Sequence, residues 1–196
     1  MNTIKNYYGL INKMSPLLLG LFVFIHILNH LMLVISIKEH ISFMENFRFI
    51  YRNIYIESIL LLAFLFQIIK SIKVIWHERK KRRTFFEKLI FISKIYLIYF
   101  LINHISAVLF GRIVFNLDTN IYYAIAGLYI FPYSLYFVPY YFLSIICLFF
   151  YFSRNKKSYS FYTINSIGFI LALVLLFALK STFYDINVPL RYLNMY

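Results

Sequence analysis

Two histidines, His26 and His104, lie inside apolar runs, in SPLLLGLFVFIH and SKIYLIYFLINH. An imidazole in that setting has lost its hydrogen bonds to water and needs a partner. It can share a hydrogen bond across a helix interface, or it can bind a metal through a ring nitrogen. The surrounding residues repeat. Setting Ser15–Ile27 on Ser93–Ile105 superposes Ser15 on Ser93, Leu19 on Leu97, Phe22 on Phe100, His26 on His104 and Ile27 on Ile105. The first four positions are spaced by four, three and four residues, so each set forms one stripe along a helix. Each histidine is about 16 Å past its serine at about 1.5 Å per residue. That is near the middle of a hydrocarbon layer about 30 Å thick. Two helices running the same way would then hold two imidazoles at one depth. Haem iron takes two axial nitrogens and its porphyrin suits an apolar setting, so one bis-histidine haem b fits this pattern. Hydrogen bonding between the helices is the simpler alternative.

Other polar residues near these two have weaker patterns. His30 follows His26 by one helical turn and is a second candidate ligand, or a contact for a propionate or quinone. Val108 occupies the position equivalent to His30 in the second stripe, which favours His26. Asn29 and Asn103 do not align and read as interhelical hydrogen-bonding groups. Arg52 and Arg112 are placed either to pair with haem propionates or to anchor the interface beside abundant Tyr. Glu57 is either solvated at the interface or a proton carrier beside a quinone. His40 and His77 fall in expected loops and carry no assigned role.

The elements that must position these groups are membrane spans. The 196 residues are 62% hydrophobic and 22% aromatic, with a mean hydropathy of +0.74. Apolar runs of about 20 residues recur, the length a bilayer requires of a helix. The expected architecture is all-α: one integral-membrane domain over residues 1–196, a bundle of five transmembrane helices. The spans are expected at 15–37, 54–76, 89–110, 132–152 and 161–178. The run from Pro16 to about Ile37 exceeds a signal-peptide core and reads as a retained first span. A short interfacial helix is expected after LDTN (Leu117–Asn120), capped by Asp118 or Thr119. Pro132 would open the fourth span and Pro139 would kink it.

The formal charge of +13 is concentrated in HERKKRR (His77–Arg83) and RNKK (Arg154–Lys157), between spans. The positive-inside rule then places both loops and the N-terminus in the cytoplasm. RKKRR also suits anionic headgroups. No soluble unit presents this charge to nucleic acid. The single Cys147 excludes an intrachain disulfide and a CxxCH haem attachment. No HExxH, GxSxG, Walker A or CxxC motif occurs.

SPLLLGLFVFIH resembles the first-span haem motif of the five-helix, di-haem cytochrome b membrane anchors of succinate dehydrogenase and fumarate reductase. SKIYLIYFLINH is similar to their third span. The resemblance implies five spans with a cytoplasmic N-terminus, in a bacterial inner membrane. It implies one haem between His26 and His104, with Ser15 and Ser93 in the haem motifs, quinone-linked electron transfer, and redox partner subunits. The family's second haem draws histidines from spans two and four. Here Gln67 stands at about that place in span two, and Ser144 lies near that depth in span four. A di-haem wire is therefore not expected. The competing reading is a non-redox membrane scaffold or assembly protein that keeps the fold without haem.

Overall fold

The computed structural model describes the backbone from Asn2 and the side chains from Gly9 to Tyr196. Among the described residues it is helical and has no strand. The helices are α1 (Asn2–Leu31), α2 (Ile37–Tyr51), α3 (Ile54–Glu78), α4 (Phe85–Ile113), α5 (Ile121–Tyr129), α6 (Ser134–Ser153), α7 (Ser158–Leu179) and α8 (Leu190–Leu193). Four stretches are long and apolar enough to cross a membrane: Gly9–Val34, Ile54–Glu78, Ser134–Ser153 and Ser158–Leu179. Their outer faces expose large apolar side chains, with Leu17 at 67% and Leu62 at 65% exposure. Contiguous apolar surface of that kind is suited to lipid. The chain is an integral membrane protein.

α6 packs on α7, α4 on α6, and α1 on α3. The α6–α7 contact is close because Gly168 has no side chain; a Cβ there would overlap Cβ and Cγ of Phe149. Beneath the histidines, Leu19, Leu60 and Phe64 form a small core with Phe22, Leu101 and Ile105, joining α1, α3 and α4. A second core caps one end of the bundle. Leu33, Ile121, Ile125, Leu128, Ala178, Leu179 and Ile186 meet there. This cap gathers the turn after α1, α5, the end of α7 and the segment that follows it. Tyr184 seals it by donating to the Leu33 carbonyl at 2.5 Å.

The expected spans coincide with helices, but four details differ. The first helix begins at Asn2 and runs through Pro16 rather than starting at Ser15. Pro16 has no N–H to donate, and the neighbouring Ser15 hydroxyl donates to the Ile11 carbonyl at 2.8 Å. The stretch holding His40 and Arg48 is not a loop but helix α2, with Arg52 as its C-cap and Ser36 as its N-cap, whose Oγ accepts from the Glu39 N–H at 3.1 Å. The cap of α5 is Asn120, not Asp118 or Thr119; its Oδ1 accepts from the Tyr122 N–H at 3.0 Å. Asp118 instead holds the Asn120 amide in place, accepting from Nδ2 at 2.9 Å. Pro132 precedes the fourth long helix, which starts at Ser134 and continues through Pro139.

A histidine seam between α1 and α4 as candidate functional site

The sequence repeat is a repeat of structure. Ser15 donates to Ile11 O and Ser93 to Leu89 O, both at 2.8 Å. Phe22 stacks on His26, ring centroids 6.0 Å apart and planes 11° apart. Phe100 stacks on His104 at 5.2 Å and 17°. One helical turn separates ring from ring in each case, so the phenylalanine fixes the orientation of the imidazole above it. The two imidazoles then face one another across the seam, centroids 5.9 Å apart and planes at 72°. Both are half-buried. α1 and α4 are not among the closely packed helix pairs; each leans chiefly on another helix.

His30 and His40 extend the cluster. His30 Nε2 lies 3.2 Å from His26 Nε2, and its ring is 5.5 Å from that of His40. His40 is buried on α2 and its Nδ1 lies 2.7 Å from the Asn29 carbonyl. A carbonyl only accepts, so His40 Nδ1 carries the proton and, in the neutral ring, Nε2 keeps a lone pair. Burial lowers the His40 pKa below its ordinary value of 6.5, and the Asn29 hydrogen bond opposes that shift. Between His26 and His30, one nitrogen donates and the other accepts. His26 Nε2 can accept from His30 or bind a metal, not both at once. Two buried atoms of the cluster, His30 Nδ1 and Asn29 Oδ1, have no hydrogen-bond partner.

The cap end of the seam is tied by ion pairs. Arg112 of α4 pairs with Glu57 of α3 through both guanidinium nitrogens, the longer contact being 3.3 Å. Arg52 donates to Thr119 Oγ1 at 2.9 Å and lies 3.8 Å from Asp118. Burial, then the neighbouring Arg48 and Arg112, lower the Arg52 pKa. Arg48 bridges Glu45 at 2.9 Å and Asp118 at 2.7 Å. Burial lowers its pKa, but the hydrogen bond and charge of Asp118 outweigh this, with Glu45 assisting, and the net shift is upward. Arg52 and Arg112 thus already hold protein partners, and Glu57 is an ion-paired side chain. At the other end, Gln67 Nε2 donates to Ser15 Oγ at 2.6 Å. Ser144 Oγ donates to the Tyr141 carbonyl at 2.7 Å.

Sequence reasoning selects His26 and His104, and the structure brings them together. It misses His40, because an α2 read as a loop carries no register. Ser36 followed three residues later by Glu39 is the one sequence signal of that helix. The donor set suits two-ligand haem chemistry. His26 and His104, with ring centroids 5.9 Å apart, are the two residues that would hold such a group. Among the described residues no group of three or more His, Cys, Asp or Glu is arranged to hold a metal ion, and an axial pair requires only two. Compared with protein-family models, curated proteins and solved structures, the chain finds no match.

Proposed function

We propose that the chain is a membrane-embedded, b-type cytochrome-like subunit in which His26 and His104 would hold one haem between α1 and α4. The observation that carries this reading is the paired Phe–His stack. Two helices each present an imidazole stacked on the phenylalanine one turn before it, and the two rings meet edge-on in a seam the helices do not close. When bound, haem supplies one-electron transfer. The chain supplies the ligand nitrogens, their fixed rings and an apolar surround. In this reading α4, with 29 residues, is a fifth span, so α1 and α4 cross the membrane in the same direction. The N-terminus and the two basic loops are cytoplasmic, in a bacterial inner membrane. Electrons exchange with a quinone at the cap end and with redox partner subunits.

The test is to express the chain with haem supplied, purify it in detergent and record reduced-minus-oxidised spectra. The expected result is a bis-histidine b-type spectrum, lost in His26→Ala and in His104→Ala. Haem-replete wild type with no Soret band overturns the reading. One observation favours the non-redox scaffold instead: the His26–His30 hydrogen bond gives His26 a partner within the chain. That reading expects both alanine variants to fold and assemble as wild type does.

A further inference from the structure

At the end of the bundle opposite the cap, the turn between α3 and α4 carries charge that the protein does not use. Glu78 is held by Lys94 at 3.2 Å and Lys81 at 3.8 Å. Glu87 is occupied by Thr84, accepting from its backbone N–H at 2.8 Å and its hydroxyl at 2.9 Å. These are the two carboxylates of the turn, which leaves Lys80, Arg82 and Lys88 with no acidic partner among the described residues. Arg83 is held rigidly. Its guanidinium lies 3.7 Å above the Phe91 ring and donates to the carbonyls of Lys81 and Glu78. An open pocket of about 410 Å³ lies here, lined by Lys81, Arg82, Arg83, Lys88, Phe91 and Ile92.

The two kinds of lining are arranged by depth. The cations occupy the turn and the first turn of α4. Phe91 and Ile92 lie one turn along α4, about 5 Å further into the bundle, and Ile92 is exposed. The level is that of a membrane interface. α3 is an apolar span that ends at Glu78. Trp76 is 65% exposed at that end, and Phe85 and Phe86 are exposed where α4 begins. Exposed aromatic rings at both ends of such a turn mark the headgroup layer. Phe86 also meets Phe161 at 5.4 Å and Tyr162 at 6.0 Å, which brings the basic loop Arg154–Lys157 to the same side.

We propose that the α3–α4 turn binds the phosphate headgroup of an anionic phospholipid, with its acyl chains laid along Phe91 and Ile92. Cations above an exposed apolar wall match an amphiphile with a phosphate at one end; free phosphate would use only the upper half. The site is independent of haem and of any redox role.

The full-length chain, purified in detergent, is titrated with phosphatidylglycerol or phosphatidylcholine and bound lipid is counted by native mass spectrometry. Phosphatidylglycerol is expected to bind in preference to phosphatidylcholine. The double variant Arg82→Gln/Lys88→Gln is expected to bind it about thirtyfold more weakly. A charge-matched control in the other basic loop, Lys156→Gln/Lys157→Gln, is expected to bind as wild type does. Unchanged helical content by circular dichroism shows that each variant is folded. Equal weakening in both double variants would mean diffuse charge only and overturn the site. Displacement of phosphatidylglycerol by equimolar inorganic phosphate would make it a free-anion site, and equal competition by polyglutamate a docking point for acidic protein. Either result overturns the lipid assignment.

Discussion

His26 faces a choice that its neighbours set. Its Nε2 shares a proton with His30, yet its ring is the one that faces His104. Replacing His30 by Leu removes the competitor and leaves the Phe22 stack in place. Haem-supplied His30→Leu is therefore expected to keep a bis-histidine spectrum, with haem affinity equal to or above that of wild type. A spectrum lost in His30→Leu and kept in His26→Ala would make His30 the axial ligand. His40 sets a different test. Its pKa is lowered in the fold by burial, so the unfolded chain binds the proton more tightly and stability falls as pH falls. The loss begins as pH drops through about 6.5, the unfolded value, and grows until the folded pKa is reached. Above 6.5 the imidazole is neutral in both states and the effect is absent. His40→Gln offers an amide N–H to the Asn29 carbonyl and does not titrate. The difference in Tm between wild type and His40→Gln is expected to shift against wild type on moving from pH 7.5 to pH 5. A pH-independent difference would refute this role of burial.

At the scale of elements, the long helices are legible in the sequence because a bilayer imposes a simple requirement of length and apolarity. Ile54–Glu78 and Ser158–Leu179 fall almost where the apolar runs do. The meeting of His26 with His104 is legible because the repeat fixes both depth and face. What the sequence hides is α2. Its 15 residues mix Lys, Glu, Arg and aromatics, so hydropathy reads it as a connection. Only the fold reveals that it turns back and lays His40 beside His30. Pro16 is hidden for a similar reason: a proline beside a serine suggests a helix start, whereas the helix passes through it. The packing of α6 on α7 is likewise invisible until Gly168 is seen under Phe149. The crowding there involves the stem of Phe149, not a flexible end. Gly168→Ala is expected to destabilise the bundle by about 1–3 kcal/mol. Gly20→Ala, with nothing within 4 Å of the added methyl, is expected to be neutral or slightly stabilising because alanine favours helix. Thermal unfolding followed by circular dichroism in detergent would rank the two; equal Tm values would show that α6 and α7 repack without cost.

The whole molecule is polar in two different ways at its two ends. One end carries the α3–α4 and α6–α7 turns, rich in cations that outnumber their acidic partners. The other is a folded cap in which Arg48, Arg52 and Arg112 are matched by Glu45, Asp118 and Glu57. Unneutralised cations resist translocation, while paired ones present little net charge to the membrane potential. In the proposed reading the basic end is cytoplasmic and the cap lies outside. The proposed reading needs α4 as a fifth span, which would put the α6–α7 turn and the segment after α7 on opposite sides, with the turn at the cytoplasmic face. The single native Cys147 makes this testable. In a Cys147→Ser background, Lys157→Cys and Asn187→Cys each place one thiol at an exposed position, in the α6–α7 turn and in the cap. In intact cells a membrane-impermeant maleimide is expected to label Asn187→Cys and to spare Lys157→Cys until the cells are opened. Labelling of Lys157→Cys in intact cells would reverse the orientation. Equal protection of both would place the two flanks of α7 on one side and remove α7 from the set of spans.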